Sequence, residues 1–324
     1  MFKLMQYFIK ETLIAFYIIE DKYFVQKQII KKNEILSKEE FEFSEEEFLE
    51  FIKISFLENT QTYVSTIIDT FNQGCVDSCS HSRYKEIGIK IENIKILCLK
   101  NYSIFIGMYE LNQFQKEMQK FKVDFVFSPF LFLSMKNKKI KNTLYVLYTK
   151  NFMALLIYED EDKPKYSNLY KFEIEVVDEN LSEDDNEEIE EDIDDIEDID
   201  DIEDIEEIES LDDIDESIDE DTELESEDLE SLSEDILEKD DNIKEEMINL
   251  KNEIDALDFI KNSIKDYYEN YSDRFLEQGY VFYNDNVSNK FFKNIEEETF
   301  LELKEEKINI LDSINNLALK ELNV

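Results

Sequence analysis

Four side chains in this 324-residue chain have the types and spacing of a metal site. Cys75, Cys79 and His81 fall within seven residues, and Cys98 follows on the next apolar stretch. C-x₃-C-x-H lies inside the loose spacing of zinc ligands, and a closed Cys₃His set would hold a structural zinc tetrahedrally. Two arguments run the other way. Structural zinc sites usually show two tight pairs, and Cys98 alternates with Ile94 and Ile96 as a buried thiol on a strand would. The irregular spacing favours core and loop residues, and the zinc set Cys75, Cys79, His81 and Cys98 stands as the candidate to test.

Other chemistry finds little footing. His81 is the single histidine, so any Ser-His-Asp or Cys-His device must use it, and no G-x-S-x-G elbow occurs. Carboxylates abound, but nothing marks a pocket that would push two of their pKa values apart. Phosphate-binding loops are built from glycine, and the chain has only 4, with no GxxxxGK[ST] or GxGxxG. The expectation is a protein with no catalytic residues and no cofactor. Lys136, Lys138, Lys139 and Lys141 form a small basic loop without interleaved aromatics. That argues against direct nucleic-acid binding and for attraction to an acidic segment or partner.

Charge divides the chain. Residues 178–241 hold 38 Asp and Glu against one base, Lys239, so 37 of the 46 net negative charges lie there. Residues 1–177 carry 24 bases and 25 acids, and residues 242–324 carry 10 and 18. Within the acidic run, apolar residues recur every third position from Ile193 to Ile214. A three-residue step winds around a helix and alternates faces on a strand, so neither form gains a lasting apolar face. The reading is a self-repelling, disordered tether, since its buried surface cannot offset the entropy of ordering. It contains no glycine, which excludes a calcium loop of the EF-hand kind. A docking strip for a basic partner and a nucleic-acid mimic are the functional alternatives.

No signal peptide is evident in Met1–Lys10, and no run reaches the ~18 apolar residues of a membrane span. Three cysteines suit a reducing compartment. Together these point to a soluble cytoplasmic protein.

The flanking blocks read as mixed α/β. Tyr7–Glu20 and Tyr23–Lys32 form an expected hairpin. Ser44 and Glu47 make a capping box for a helix that buries Phe48, Phe51, Ile52 and Phe56. Thr62–Thr70, Ile94–Leu99, Ile104–Tyr109 and Val123–Phe127 read as strands, and Glu110–Phe121 as an amphipathic helix. Thr143–Thr149 and Phe152–Tyr158 form a second hairpin, with Lys165–Val177 as an edge strand. Beyond the acidic run, Ile243, Met247, Leu250, Ile254, Leu257, Ile264, Tyr268 and Tyr271 fall on 4- and 3-residue steps, broken only by Lys261. That stripe is either a coiled-coil seam, with a homo-dimer as its consequence, or one long core helix. Strand Tyr280–Tyr283, helix Ser288–Phe300, strand Leu301–Lys304 and helix Ile308–Leu322 close the chain.

This order of elements resembles the actin-like cytoplasmic proteins of bacterial type IV pilus and type II secretion platforms, the PilM/GspL type. The likeness is carried by Ile104–Phe127 running into Ser128-Pro129-Phe130-Leu131, by the hairpin Thr143–Tyr158, and by Ser263–Leu311. It covers most of residues 1–177 and 255–324. It implies actin-like (ribonuclease H-like) lobes, interrupted by the acidic insert: an N-terminal portion over 1–177, the tether over 178–241, and a completing portion over 242–324. It also implies a second phosphate turn at Tyr148-Thr149-Lys150-Asn151 and an adenosine loop at Tyr283-Asn284-Asp285-Asn286. Neither holds a glycine, and Asp285 would repel a nucleotide, so the nucleotide site is expected to be degenerate. The resemblance then implies a non-enzymatic scaffold of a secretion, pilus or DNA-uptake platform. Its implied partners are an inner-membrane platform protein and a motor ATPase, with membrane association through the partner. An active actin-like ATPase and an acidic sequestering protein are the alternatives.

Overall fold

The computed structural model describes residues 10–32, 34–58, 61–136, 138, 140–172 and 226–322, with side chains of the last stretch from Met247 onward. Everything below concerns those residues. Most of the acidic run, 178–225, lies outside them.

Strands β1 (Glu11–Ile19) and β2 (Lys22–Lys31) form the first hairpin, and β3 (Glu34–Phe43) adds to its outer side. Helix α1 (Glu45–Leu57) follows, started by Ser44, whose backbone N–H donates to the Glu47 carboxylate at 2.8 Å. Strand β4 (Gln61–Ile67) returns parallel to β1. An excursion follows through β5 (Gln73–Val76), the short helix α2 (His81–Glu86), β6 (Ile94–Cys98) and β7 (Ser103–Gly107). These three strands make a small antiparallel sheet ordered β5-β7-β6. Helix α3 (Met108–Met118) leads to β8 (Phe125–Phe127), which joins β4 in parallel and completes the first sheet, ordered β3-β2-β1-β4-β8.

The second sheet repeats that plan. After α4 (Pro129–Lys136), strands β9 (Thr143–Tyr148), β10 (Phe152–Tyr158) and β11 (Tyr166–Lys171) form an antiparallel meander. Helix α5 (Ser226–Asn270) then brings in β12 (Gln278–Tyr283), parallel to β9. Helix α6 (Asn289–Thr299) leads to β13 (Glu302–Lys307), parallel to β12, giving the order β11-β10-β9-β12-β13. Helix α7 (Ile310–Leu322) ends the described chain.

Both five-stranded sheets thus have an antiparallel first three strands, then two parallel ones added beside the first. This is the ribonuclease H-like lobe twice over, the actin-like arrangement the sequence led one to expect. Strand β12 lies beside β9, so chain from either side of the acidic run closes one sheet.

Burial follows the period of two. In β10, Met153, Leu155 and Ile157 face one core with α5 and α6, while Ala154, Leu156 and Tyr158 face another with α4 and α7. A strand apolar on both faces can only be an interior one. In β1, Ile14 and Phe16 pack with Phe48 and Ile52 of α1. Helix α7 returns to the first lobe, where Asp312 accepts from Lys38 at 2.8 Å and Asn315 donates to Gln26 Oε1 at 3.0 Å.

Four expectations change. Strand β3 was not legible, because Glu34–Phe43 is largely exposed and charged; its pairing with β2 makes it a strand. His81 starts a short helix where a loop was expected. Helix α5 begins at Ser226, inside the span read as tether, where Leu229, Leu232 and Ile236 replace the three-residue step by 3- and 4-residue steps. Finally, the stripe on α5 is only in part the core face: Ile264 is buried and Leu257 and Tyr268 pack against the core, but its earlier described residues do not. Asn252, Ala256, Ile260, Ser263 and Tyr267 face inward, and Met247, Leu250 and Ile254 lie outside.

Candidate functional site

The four candidate zinc ligands do not converge. Cys75 on β5 pairs with Ile104, and Cys98 on β6 pairs with Ser103. Ile104 and Ser103 are consecutive on β7, so the two thiols project from opposite faces of the small sheet. Cys79 is near Cys98, and its thiol donates to the Tyr102 carbonyl at 3.4 Å. Burial first, then Cys98 as neighbour, pushes that thiol up to about 11, away from the thiolate a metal needs. His81 is exposed. Among the described residues no group of three or more His, Cys, Asp or Glu is placed to hold a metal ion. The lysine loop is likewise engaged: Lys136 Nζ lies 2.6 Å and Lys138 Nζ 3.9 Å from the Glu306 carboxylate.

The structure does bring together the two turns singled out for a nucleotide. The turn between β9 and β10 ends at Lys150 and Asn151, and the loop after β12 holds Asn284 and Asp285. Lys150 donates its backbone N–H to Asp285 Oδ2 at 2.8 Å. Asn284 Nδ2 donates to Asp285 Oδ1 at 3.2 Å and to the Tyr17 hydroxyl at 3.1 Å. Its Oδ1 accepts the first N–H of α7, from Ile310, at 2.8 Å. Asn151 Nδ2 donates across to the Ile18 carbonyl. One loop therefore ties β1, the β9–β10 turn and the start of α7. Burial raises the Asp285 pKa, opposed by the hydrogen bonds from Lys150 and Asn284, and burial also raises that of Tyr17.

Above this latch lies a cleft of about 400 Å³ between the lobes. Glu20, Asp69, Glu110 and Glu117 contribute carboxylates to its lining, against one base, Lys171. Lys171 Nζ is 3.2 Å from Asp69 Oδ2, so its charge is already matched. Gly107 lets the chain pass close beneath Glu110: a Cβ there would run into Glu110 Oε2 and Asn72. The Lys150 backbone N–H is taken by a carboxylate of the same chain, and the open space beside it is lined by more acids than bases.

A second groove, of about 330 Å³, is mostly apolar, with Lys95, Asp124 and Glu321 also in its lining. Leu97, Ile106, Leu111, Phe125 and Leu131 line it, beside the outer edge of β8, which no described strand pairs. The sequence reading placed Asn284 in the implied adenosine loop but did not foresee its latching role.

Two lobes of ribonuclease H type around a carboxylate-lined cleft define an actin-like fold. The chain belongs to the family described as Domain of unknown function (DUF8341), which matches residues 144–323. A second, Domain of unknown function (DUF8569), matches residues 8–134. The first match spans the second sheet and the second match the first sheet. No curated protein matches the chain. Among solved structures it is similar to a Bacteroides thetaiotaomicron protein with actin-like ATPase fold and unknown function, at 10% identity and TM-score 0.44 over 98% of each chain. It is also similar to the PilM–PilN type IV pilus biogenesis complex, at 9% identity and TM-score 0.47, covering 94% of this chain and 89% of that one. A third is the ethanolamine utilization protein EutJ from Carboxydothermus hydrogenoformans, at 8% identity and TM-score 0.41, over 96% and 89%.

Proposed function

We propose that this protein is a non-enzymatic scaffold of a bacterial inner-membrane assembly platform, of the type IV pilus, type II secretion or DNA-uptake kind. The observation that carries the reading is the Lys150–Asp285 hydrogen bond under a cleft lined by Glu20, Asp69, Glu110 and Glu117. A phosphate charge about 4 Å from a carboxylate costs on the order of 4 kcal/mol at an effective dielectric near 20. Several such pairs outweigh what a glycine-free turn returns, so the fold is used as a surface. Partners are an inner-membrane platform protein and a motor ATPase. The apolar groove beside β8 receives the membrane partner's short cytoplasmic tail, laid along the free strand edge with apolar side chains in the groove. No helix among the described residues is long and apolar enough to cross a membrane.

Thermal unfolding of the full chain in millimolar Mg-ATP tests the first half. An unchanged midpoint is expected, and a rise of several degrees with ATP would restore the ATPase reading. Co-sedimentation with inner membranes tests the second half. It should be saturable and lost in Leu97→Glu, whose side chain is about half exposed in the groove; retention in that variant removes the tail assignment.

A further inference from the structure

Helix α5 has two apolar faces, and only one is used by the fold. The inward face, Asn252, Ala256, Ile260, Ser263 and Tyr267, advances in steps of 4, 4, 3 and 4 and is buried. On the outward face Met247, Leu250 and Ile254 are 66%, 56% and 54% exposed. Leu250 belongs to a strict series of seven-residue intervals within the helix, Leu229, Ile236, Ile243, Leu250, Leu257 and Ile264. On a straight helix such a series drifts by ~20° per heptad, which carries Ile264 round to the buried face while Leu250 stays outside. A helix seated on a sheet has no need of a seven-residue period. A helix that winds with a second helix does, because that period keeps its apolar residues along one seam.

Charge selects the occupant. From Ser226 to Ile254 the helix carries 11 acids and 3 bases, and residues 178–225 just before it hold 30 acids and no base. A second copy would bring like charge against like along the helix. The chain's own isoleucine row, Ile193 to Ile208, has only Asp and Glu between its apolar residues and meets the same objection. We propose that the outward face of α5 around Met247, Leu250 and Ile254 docks an amphipathic helix of a partner protein, with an apolar seam flanked by lysine and arginine. The acidic run just upstream raises the encounter rate by attracting the same partner. This surface is separate from the cleft and the β8 groove, and the assignment holds whatever those bind.

The test uses the full chain and a fluorescent synthetic helix of about four heptads, with a leucine and isoleucine seam and Lys/Arg flanks. Two control peptides keep its composition with a scrambled seam, or its seam with glutamate flanks. Saturable binding of the first peptide alone is expected. The double variant Leu250→Ser with Ile254→Ser should weaken it about tenfold or more. Both positions are exposed, so the thermal midpoint should not move, and this measurement separates lost docking from lost folding. Affinity weaker than about 100 µM, equal binding of the scrambled peptide, or undiminished binding by the double variant overturns the proposal. So does sedimentation showing a dimer of the full chain that the double variant dissociates.

Discussion

The first and second sheets share strand order and direction but differ at the turn after their first strand. Between β1 and β2 the turn is Glu20-Asp21, with Glu20 in the left-handed region at φ 55° and its carboxylate toward the cleft. Between β9 and β10 the equivalent turn is fastened, Lys150 to Asp285 and Asn151 to Ile18. The lobe tolerates either ending, since its stability lies in the strands. What the turns do is therefore independent of the architecture: one presents a carboxylate to the cleft and the other is a latch.

The sharpest test of that separation is to damage the strands. Phe282 on β12 is fully buried and meets Phe132 edge-on, with ring centres 6.0 Å apart. Phe282→Ala should cost about 3–5 kcal/mol in urea unfolding. A loss below about 1 kcal/mol would mean that β12 does not close the second sheet.

The latch should matter less. Asp285→Ala leaves the Lys150 N–H without its acceptor, an expected loss of about 1–3 kcal/mol by the same measurement. Asp285→Asn keeps an acceptor and should cost less than the alanine variant, with a distinct pH signature. Burial lifts the Asp285 pKa above its usual value of 3.8, so the folded state holds the proton more tightly than the unfolded chain. Its contribution favours folding below about pH 4 and is lost as pH rises through the folded pKa. The asparagine variant should therefore gain on the parent as pH climbs from about 4 toward neutrality. A parent that gains on the variant instead would mean that the carboxylate is stabilised where it sits. The smallest effect belongs to the exposed pair of Lys38 and Asp312 joining β3 to α7, 2.8 Å apart: Lys38→Ala should cost less than about 1 kcal/mol.

Much of this frame could be read from residue order. The capped helix α1 announces itself through Ser44 with Glu47, and the interior strands β9 and β10 through continuous apolar runs. The lack of glycine in the Tyr148–Asn151 and Tyr283–Asn286 turns was visible too. Strand β3 was hidden because an edge strand buries little of its own surface and so needs no alternating pattern. The placement of the cysteines was hidden for a related reason: spacing along the chain says nothing about which face of a sheet each thiol takes.

Composition and periodicity by themselves determined that the chain is mixed α/β, that its charge is concentrated in one run, and that no GxxxxGK[ST] or GxGxxG motif occurs. Local pattern suffices there, because side-chain period and turn chemistry act over a few residues. Only the tertiary structure decided which face of α5 enters the core, that Asn284 joins three elements, and that Asp285 accepts from the Lys150 N–H. Those outcomes depend on groups such as Tyr17 and Asn284, 267 positions apart, meeting in space, and no period along the chain records such a meeting.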